Sequence, residues 1–88
     1  MIIAVKLFAR AKDLAGTDVL RVELPEGATV AELRQRLAAQ CQALAELLKR
    51  SAIGVDGNFA QEGTILHPAA EVAVLPPVSG GGSVAEWD

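Results

Sequence analysis

The feature that most limits how this chain can fold is a single helix-period segment with strand-period segments on both sides. It opens at Thr29-Val30-Ala31-Glu32. That spacing is a capping box. The Thr29 hydroxyl can accept from the Glu32 N–H, and the Glu32 carboxylate can reach back to the Thr29 N–H. A helix is therefore expected from Val30. Val30, Leu33 and Leu37 share one face, with Arg34, Gln35 and Arg36 elsewhere on the wheel. The pattern resumes at Leu44, Leu47 and Leu48 after a break near Gln40–Gln42. Lys49 and Arg50 sit where a helix C-terminus favours positive charge.

Strand signals flank this helix. In residues 2–8, Ile3, Val5 and Leu7 alternate with Ala4 and Lys6. Ile2 and Phe8 add apolar groups to the second face, so the strand is central or meets a partner there. Residues 9–16 read as a short helical turn stopped by Gly16. In Asp18–Leu24, Leu20, Val22 and Leu24 face inward, and Pro25-Glu26-Gly27 turns the chain. After the helix come a short strand at Ile53–Val55, a hairpin-type turn at Asp56-Gly57-Asn58, a short possible strand at Thr64–Leu66, and a last strand at Glu71–Leu75. The order β, β, α, β, (β), β predicts a two-layer α+β domain with one core.

The 88 residues suffice for one domain, expected over 1–78, with 79–88 as a flexible C-terminal tail. Half of the chain is hydrophobic, but the aromatics are only Phe8, Phe59 and Trp87, so the core must be aliphatic. A net charge of −3 with no basic stripe argues against nucleic acid. Cys41, the only cysteine, permits no internal disulfide and reads as core filler. His67, the only histidine, reads as a surface residue in a turn rather than a metal ligand. The apolar start lacks a basic leader and a cleavage pattern, and no run approaches membrane-spanning length. A cytoplasmic protein is expected.

No metal cluster, catalytic triad or phosphate-binding glycine loop is present in the sequence. The chemistry is expected in Glu71-Val-Ala-Val-Leu-Pro-Pro-Val-Ser-Gly-Gly-Gly82. Pro76 and Pro77 end the ladder, because proline has no N–H to donate, and stiffen the exit. Composition alone makes Gly80-Gly81-Gly82 a linker. The sharper reading is a bare backbone finger able to enter a narrow site, since glycine permits close backbone approach. A small domain without acid–base machinery but with such a tail suggests a carrier whose reactive group is a main-chain carboxylate. Trp87 is expected to stay off the domain, as chain ends are usually mobile unless tied down.

Residues 2–81 carry a specific resemblance. Leu7-Phe8-Ala9 closes the first strand, Asp13-Leu14-Ala15-Gly16 follows it, and Thr29-Val30-Ala31-Glu32-Leu33 opens the helix. Glu71-Val72-Ala73 leads to Pro76-Pro77-Val78-Ser79-Gly80-Gly81. With this element order, the chain resembles the ubiquitin-like β-grasp family of sulfur-carrying small subunits of molybdopterin synthase. The resemblance implies a mixed sheet of four to five strands with one main helix across it. It also implies that the terminal glycine, Gly81 preceded by Gly80, is adenylated and then thiocarboxylated. The carrier then donates sulfur to cyclic pyranopterin monophosphate in molybdenum cofactor biosynthesis. It is a non-catalytic subunit without an active site of its own and binds no cofactor; ATP is used by its activating enzyme. The implied partners are a ubiquitin-activating-like adenylyltransferase and the large synthase subunit, in a heterotetramer of two small and two large subunits. No nucleic acid and no membrane are implied.

Positions matching the family's apolar interface are Phe8, Phe59 and Leu75, which could share one exposed sheet face or belong to the core. Pro76, Pro77, Val78 and Ser79 form the lead-in. Four extended residues from Val78 to Gly81 would reach roughly 13 Å, enough to thread a channel. Family members end at the second glycine, whereas here Gly82-Ser-Val-Ala-Glu-Trp-Asp88 follows, and an amide at Gly81 cannot be adenylated. A processing protease that cuts after Gly81 is one explanation. A variant that keeps its tail and only binds is a second, and the start of a fused segment a third. Gly82 is the other candidate for the mature end. Asp56, where the family often has Asn, and Ala69-Ala70, where it often has Gly-Asp, are smaller departures. Two alternatives stay open. One is a sulfur carrier for thiamine or tRNA thiolation. The other is a ubiquitin-like binding module or protein modifier that transfers no sulfur.

Overall fold

A computed structural model describes residues 1–77. Strand β1 spans Ile2–Leu7, helix α1 Ala9–Ala15, β2 Val19–Glu23 and α2 Val30–Gln40. A 3₁₀ turn at Gln42–Leu44 leads into α3, Ala45–Leu48. Strands β3, β4 and β5 span Ala52–Val55, Asn58–Phe59 and Val72–Leu75. The five strands form one mixed sheet in the order β2-β1-β5-β3-β4. β1 and β5 pair in parallel at its centre, and the other neighbours are antiparallel.

Local chemistry accounts for most element ends. Both capping-box bonds form: Glu32 N–H donates to Thr29 Oγ1 at 3.3 Å, and Thr29 N–H to Glu32 Oε1 at 3.1 Å. Helix α1 stops at Gly16, whose φ of 75° is the left-handed conformation that favours glycine. The break near Gln40–Gln42 falls at Cys41, where the backbone is extended before the 3₁₀ turn. Cys41 is half-buried against the core, consistent with a filler role.

Strand alternation decides which face is covered. Ile3, Val5 and Leu7 of β1, Val22 of β2, Ile53 of β3 and Val72 and Val74 of β5 point to one side and are buried. Val30, Leu33 and Leu37 of α2 and Leu44, Leu47 and Leu48 complete one aliphatic core beneath the sheet. The sequence expectation of one main helix across a sheet holds. No helix among the described residues is long and apolar enough to cross a membrane.

Residues 64–66 depart from expectation. Thr64–Leu66 forms no strand, only an isolated bridge between Ile65 and Thr29. The backbone of this loop, from Glu62 to Thr64, serves the helix instead. Val30 N–H donates to Thr64 O at 2.9 Å and Ala31 N–H to Glu62 O at 3.0 Å, which satisfies two donors that a helix start leaves open.

Arg34 is also not the solvated residue that a helical wheel suggests. Its side chain is half-buried. Nη1 donates to the Leu48 and Ser51 carbonyls, while Nε and Nη2 fork onto the Glu62 carboxylate at 3.1 and 2.6 Å. One guanidinium thus ties α2 to the end of α3 and to the 61–65 loop, and it holds the Glu62 carboxyl below its usual range. Arg34→Met is expected to destabilise the domain by about 2 kcal/mol, since two carbonyls lose a charged donor. Arg34→Lys should recover only part, because an ammonium cannot fork. Urea midpoints of the three proteins check this.

Candidate functional site

Among the described residues, no helix lies over the sheet's second face. The strand register draws a line across it: Val19 pairs Lys6, Lys6 pairs Ala73, Ala73 pairs Gly54, and Gly54 pairs Phe59. Small residues at 54 and 73 make the middle of this line low. Phe59 stands at one side and is 79% exposed, an unusual state for a phenylalanine. Leu75, paired with Ala52 on the same face, stands further along β5. Lys6, Gly54, Gly57, Asn58, Phe59, Glu71, Ala73 and Leu75 line an open groove of ≈ 260 Å³. A Cβ built on Gly54 would sit 3.5 Å from Leu75 Cδ1, so glycine keeps the floor deep.

Of the residues singled out from sequence, Phe59 and Leu75 meet in this groove. Phe8 is exposed, just past the end of β1, and does not line it. Neither phenylalanine is buried, so the core reading of these two is corrected; Leu75 is half-buried. Pro76 and Pro77 continue directly from β5. Val78, Ser79, Gly80, Gly81 and Trp87 lie outside the described residues. Sequence reasoning missed Lys6, Gly54 and Ala73 as parts of the site. A glycine inside β3 was the available signal, since it marks close approach of another group.

The groove's rim is held by a second cluster that the sequence did not reveal. Asp56 has φ 52° and Gly57 φ 86°, so the β3–β4 turn takes two left-handed residues in succession. Asp56 Oδ1 accepts from Glu71 N–H at 2.9 Å, and Oδ2 lies 2.7 Å from His67 Nε2. Asp56 N–H donates to Glu71 O at 2.8 Å. The Glu71 N–H first, and His67 second, hold the Asp56 carboxyl below its usual range. Such a group takes its proton later in the folded chain than in the unfolded one. Its stabilisation is whole above the ordinary aspartate value of 3.8 and is lost as pH falls through the lower folded value. Acid unfolding followed below that pH is expected to be shallower in Asp56→Asn than in the parent. No group of three or more His, Cys, Asp and Glu among the described residues is placed to hold a metal.

Five strands in this order, a parallel central pair and one main helix across a single face define a ubiquitin-like β-grasp domain. The chain belongs to the ThiS family, whose model matches residues 5–81. The molybdopterin synthase sulfur carrier subunit of Arabidopsis thaliana is 30% identical over 79 residues, which cover 90% of this chain and 82% of the relative. SAMP1, the small archaeal modifier protein 1 of Haloferax volcanii, superposes with a TM-score of 0.82 at 28% identity, covering 92% of this chain and 100% of its own. A chain from the complex of subunits 1 and 2 of the Helicobacter pylori molybdopterin-converting factor shares the fold at TM-score 0.66 and 23% identity, covering 92% and 100%.

Proposed function

We propose that this chain is a sulfur carrier subunit of molybdopterin synthase, loaded at Gly81. One observation carries the reading. The family match runs through the glycine pair to residue 81, which supports reading that pair as the loaded end of a carrier. The similar Arabidopsis protein being a sulfur carrier subunit supports the assignment.

The steps follow from carbonyl chemistry. A carboxylate is a poor electrophile. Its oxygen attacks the α-phosphorus of ATP on an activating enzyme, pyrophosphate leaves, and an acyl-adenylate forms. A sulfur donor then displaces AMP and leaves a thiocarboxylate. Glycine keeps that carbonyl unhindered. The loaded carrier docks on the large synthase subunit and gives its sulfur to cyclic pyranopterin monophosphate. Phe59 and Leu75 would meet the partner through the groove, with Phe8 nearby. Pro76-Pro77-Val78-Ser79 would direct Gly80-Gly81 into the active site. The Helicobacter chain being solved with a second subunit supports docking of this kind. The carrier itself needs no cofactor, and the setting is cytoplasmic.

Gly81 must first be released from Gly82, and cleavage after Gly81 supplies the carboxylate. Intact-mass analysis of the protein from its native host tests the whole reading. A chain ending at Gly81, with sulfur replacing one carboxylate oxygen in part of the population, is the expected result. A chain retaining residues 82–88 during active cofactor synthesis would sink it. The likeness to an archaeal modifier favours one second reading, conjugation of the glycine end to lysines of other proteins. Fragmentation spectra showing Gly81 in isopeptide linkage would select that reading instead.

A further inference from the structure

We infer that Asp56 and His67 are positioning residues of the docking groove, holding Phe59 upright beside Leu75. The inference rests on the carrier reading for the partner but not for the geometry.

Phe59 has little of its own to hold it. It belongs to a two-residue edge strand whose register with β3 is Gly54↔Phe59 and Val55↔Asn58. Its ring is largely in water, so no packing fixes its height above the sheet. The turn that presents it takes a non-glycine residue into left-handed backbone, a conformation that persists where surroundings over-determine it. Here the surroundings are identifiable. Each carboxylate oxygen of Asp56 meets a different segment: one the backbone N–H of Glu71, which leads into β5, the other the ring of His67. An ionised carboxylate only accepts, so His67 Nε2 carries the proton between them. His67 is itself set by a turn in which Ala70 N–H donates to His67 O at 3.0 Å. Glu71 and the turn residues Gly57 and Asn58 line the groove. The clamp therefore joins the wall that carries Phe59 to the wall that carries Ala73 and Leu75. Without it, the hairpin tip could swing while the core remained intact.

The test has two readouts, the first on the whole chain and the second on the carrier ending at Gly81. The first needs no partner. Ala60 N–H donates to Ile53 O at 2.9 Å just beyond β4, so its hydrogen exchange reports local opening of this hairpin. Asp56→Ala is expected to speed exchange at Ala60 about tenfold while the slowest core amides of β1 and β5 change far less. Asp56→Asn keeps an acceptor for Glu71 N–H and should recover part of that protection; His67→Ala should fall between. The second readout is affinity for the large synthase subunit, with the carrier ending at Gly81. Asp56→Ala should weaken it about tenfold, as expected when an anchor must be ordered on binding, and Asp56→Asn less. Unchanged Ala60 exchange in Asp56→Ala, or loss of protection spread equally over core and hairpin, would overturn the inference. Parent protein that fails to bind the large subunit would overturn the carrier reading alone, and the exchange pattern would still decide the clamp.

Discussion

Replacing Leu33 with alanine is expected to destabilise the domain by about 3 kcal/mol, in the middle of the range for burying a cavity in place of a leucine. Leu33 is completely buried, on the core face of α2, directly after the capping box. Helix and sheet meet there, and the surrounding side chains are aliphatic. The loss has two parts. The leucine methyls no longer leave water on folding, and neighbours held by the sheet relax only partly into the gap. A small domain has about 5 kcal/mol in total at the lower end of natural stability, so this one change takes a large share. Urea unfolding should show a lower midpoint with an unchanged slope. Leu14→Ala is the control. Leu14 is partly exposed on α1 and makes no part of the core, so its loss should be under about 1 kcal/mol. Equal effects at the two positions would contradict the assignment of the core face.

Phe59→Asp should do the reverse, leaving the fold and removing the interaction. A side chain this exposed contributes little to folding, and the change should alter stability by less than about 1 kcal/mol. Aromatic anchors at the centre of an interface carry binding energies of 2 to 4 kcal/mol, so affinity for the large synthase subunit should fall roughly a hundredfold or more. A charge set against an apolar partner surface adds its own desolvation penalty. Calorimetry with the carrier ending at Gly81 measures the loss, and the urea midpoint of the same sample shows that the domain is intact. Unaltered affinity would remove Phe59 from the interface and leave Leu75 and the proline lead-in to account for docking.

What the sequence made legible was what short-range physics controls. The capping box needs only two residues three apart within one turn, and it forms as read. Gly16 and the Asp56-Gly57 turn announce themselves because few residues tolerate left-handed backbone. Alternation located β1, β2, β3 and β5 within a residue or two. The illegible parts were set by distant chain. Arg34 looks solvated on a wheel, and its partners at Leu48, Ser51 and Glu62 lie on other segments. His67 looks like an idle turn residue until folding brings it to Asp56. Thr64–Leu66 has strand-like residues but bonds to the chain at the entry of α2, where Thr64 O takes the Val30 N–H and Leu66 N–H reaches Ala28 O, and no ladder extends from there. The groove needed the register, because only the register sets Gly54 and Ala73 side by side between Phe59 and Lys6.

The central place of β5 has a mechanical meaning. This strand is bonded along both edges, to β1 in parallel and to β3 antiparallel, and Pro76 and Pro77 follow it in the chain. A tug on the chain end that is directed along the axis of β5 loads both ladders at once, so their bonds must shear together rather than unzip one by one. A pull on the end of a body anchored in this way is shared by two neighbouring strands instead of being borne by one edge.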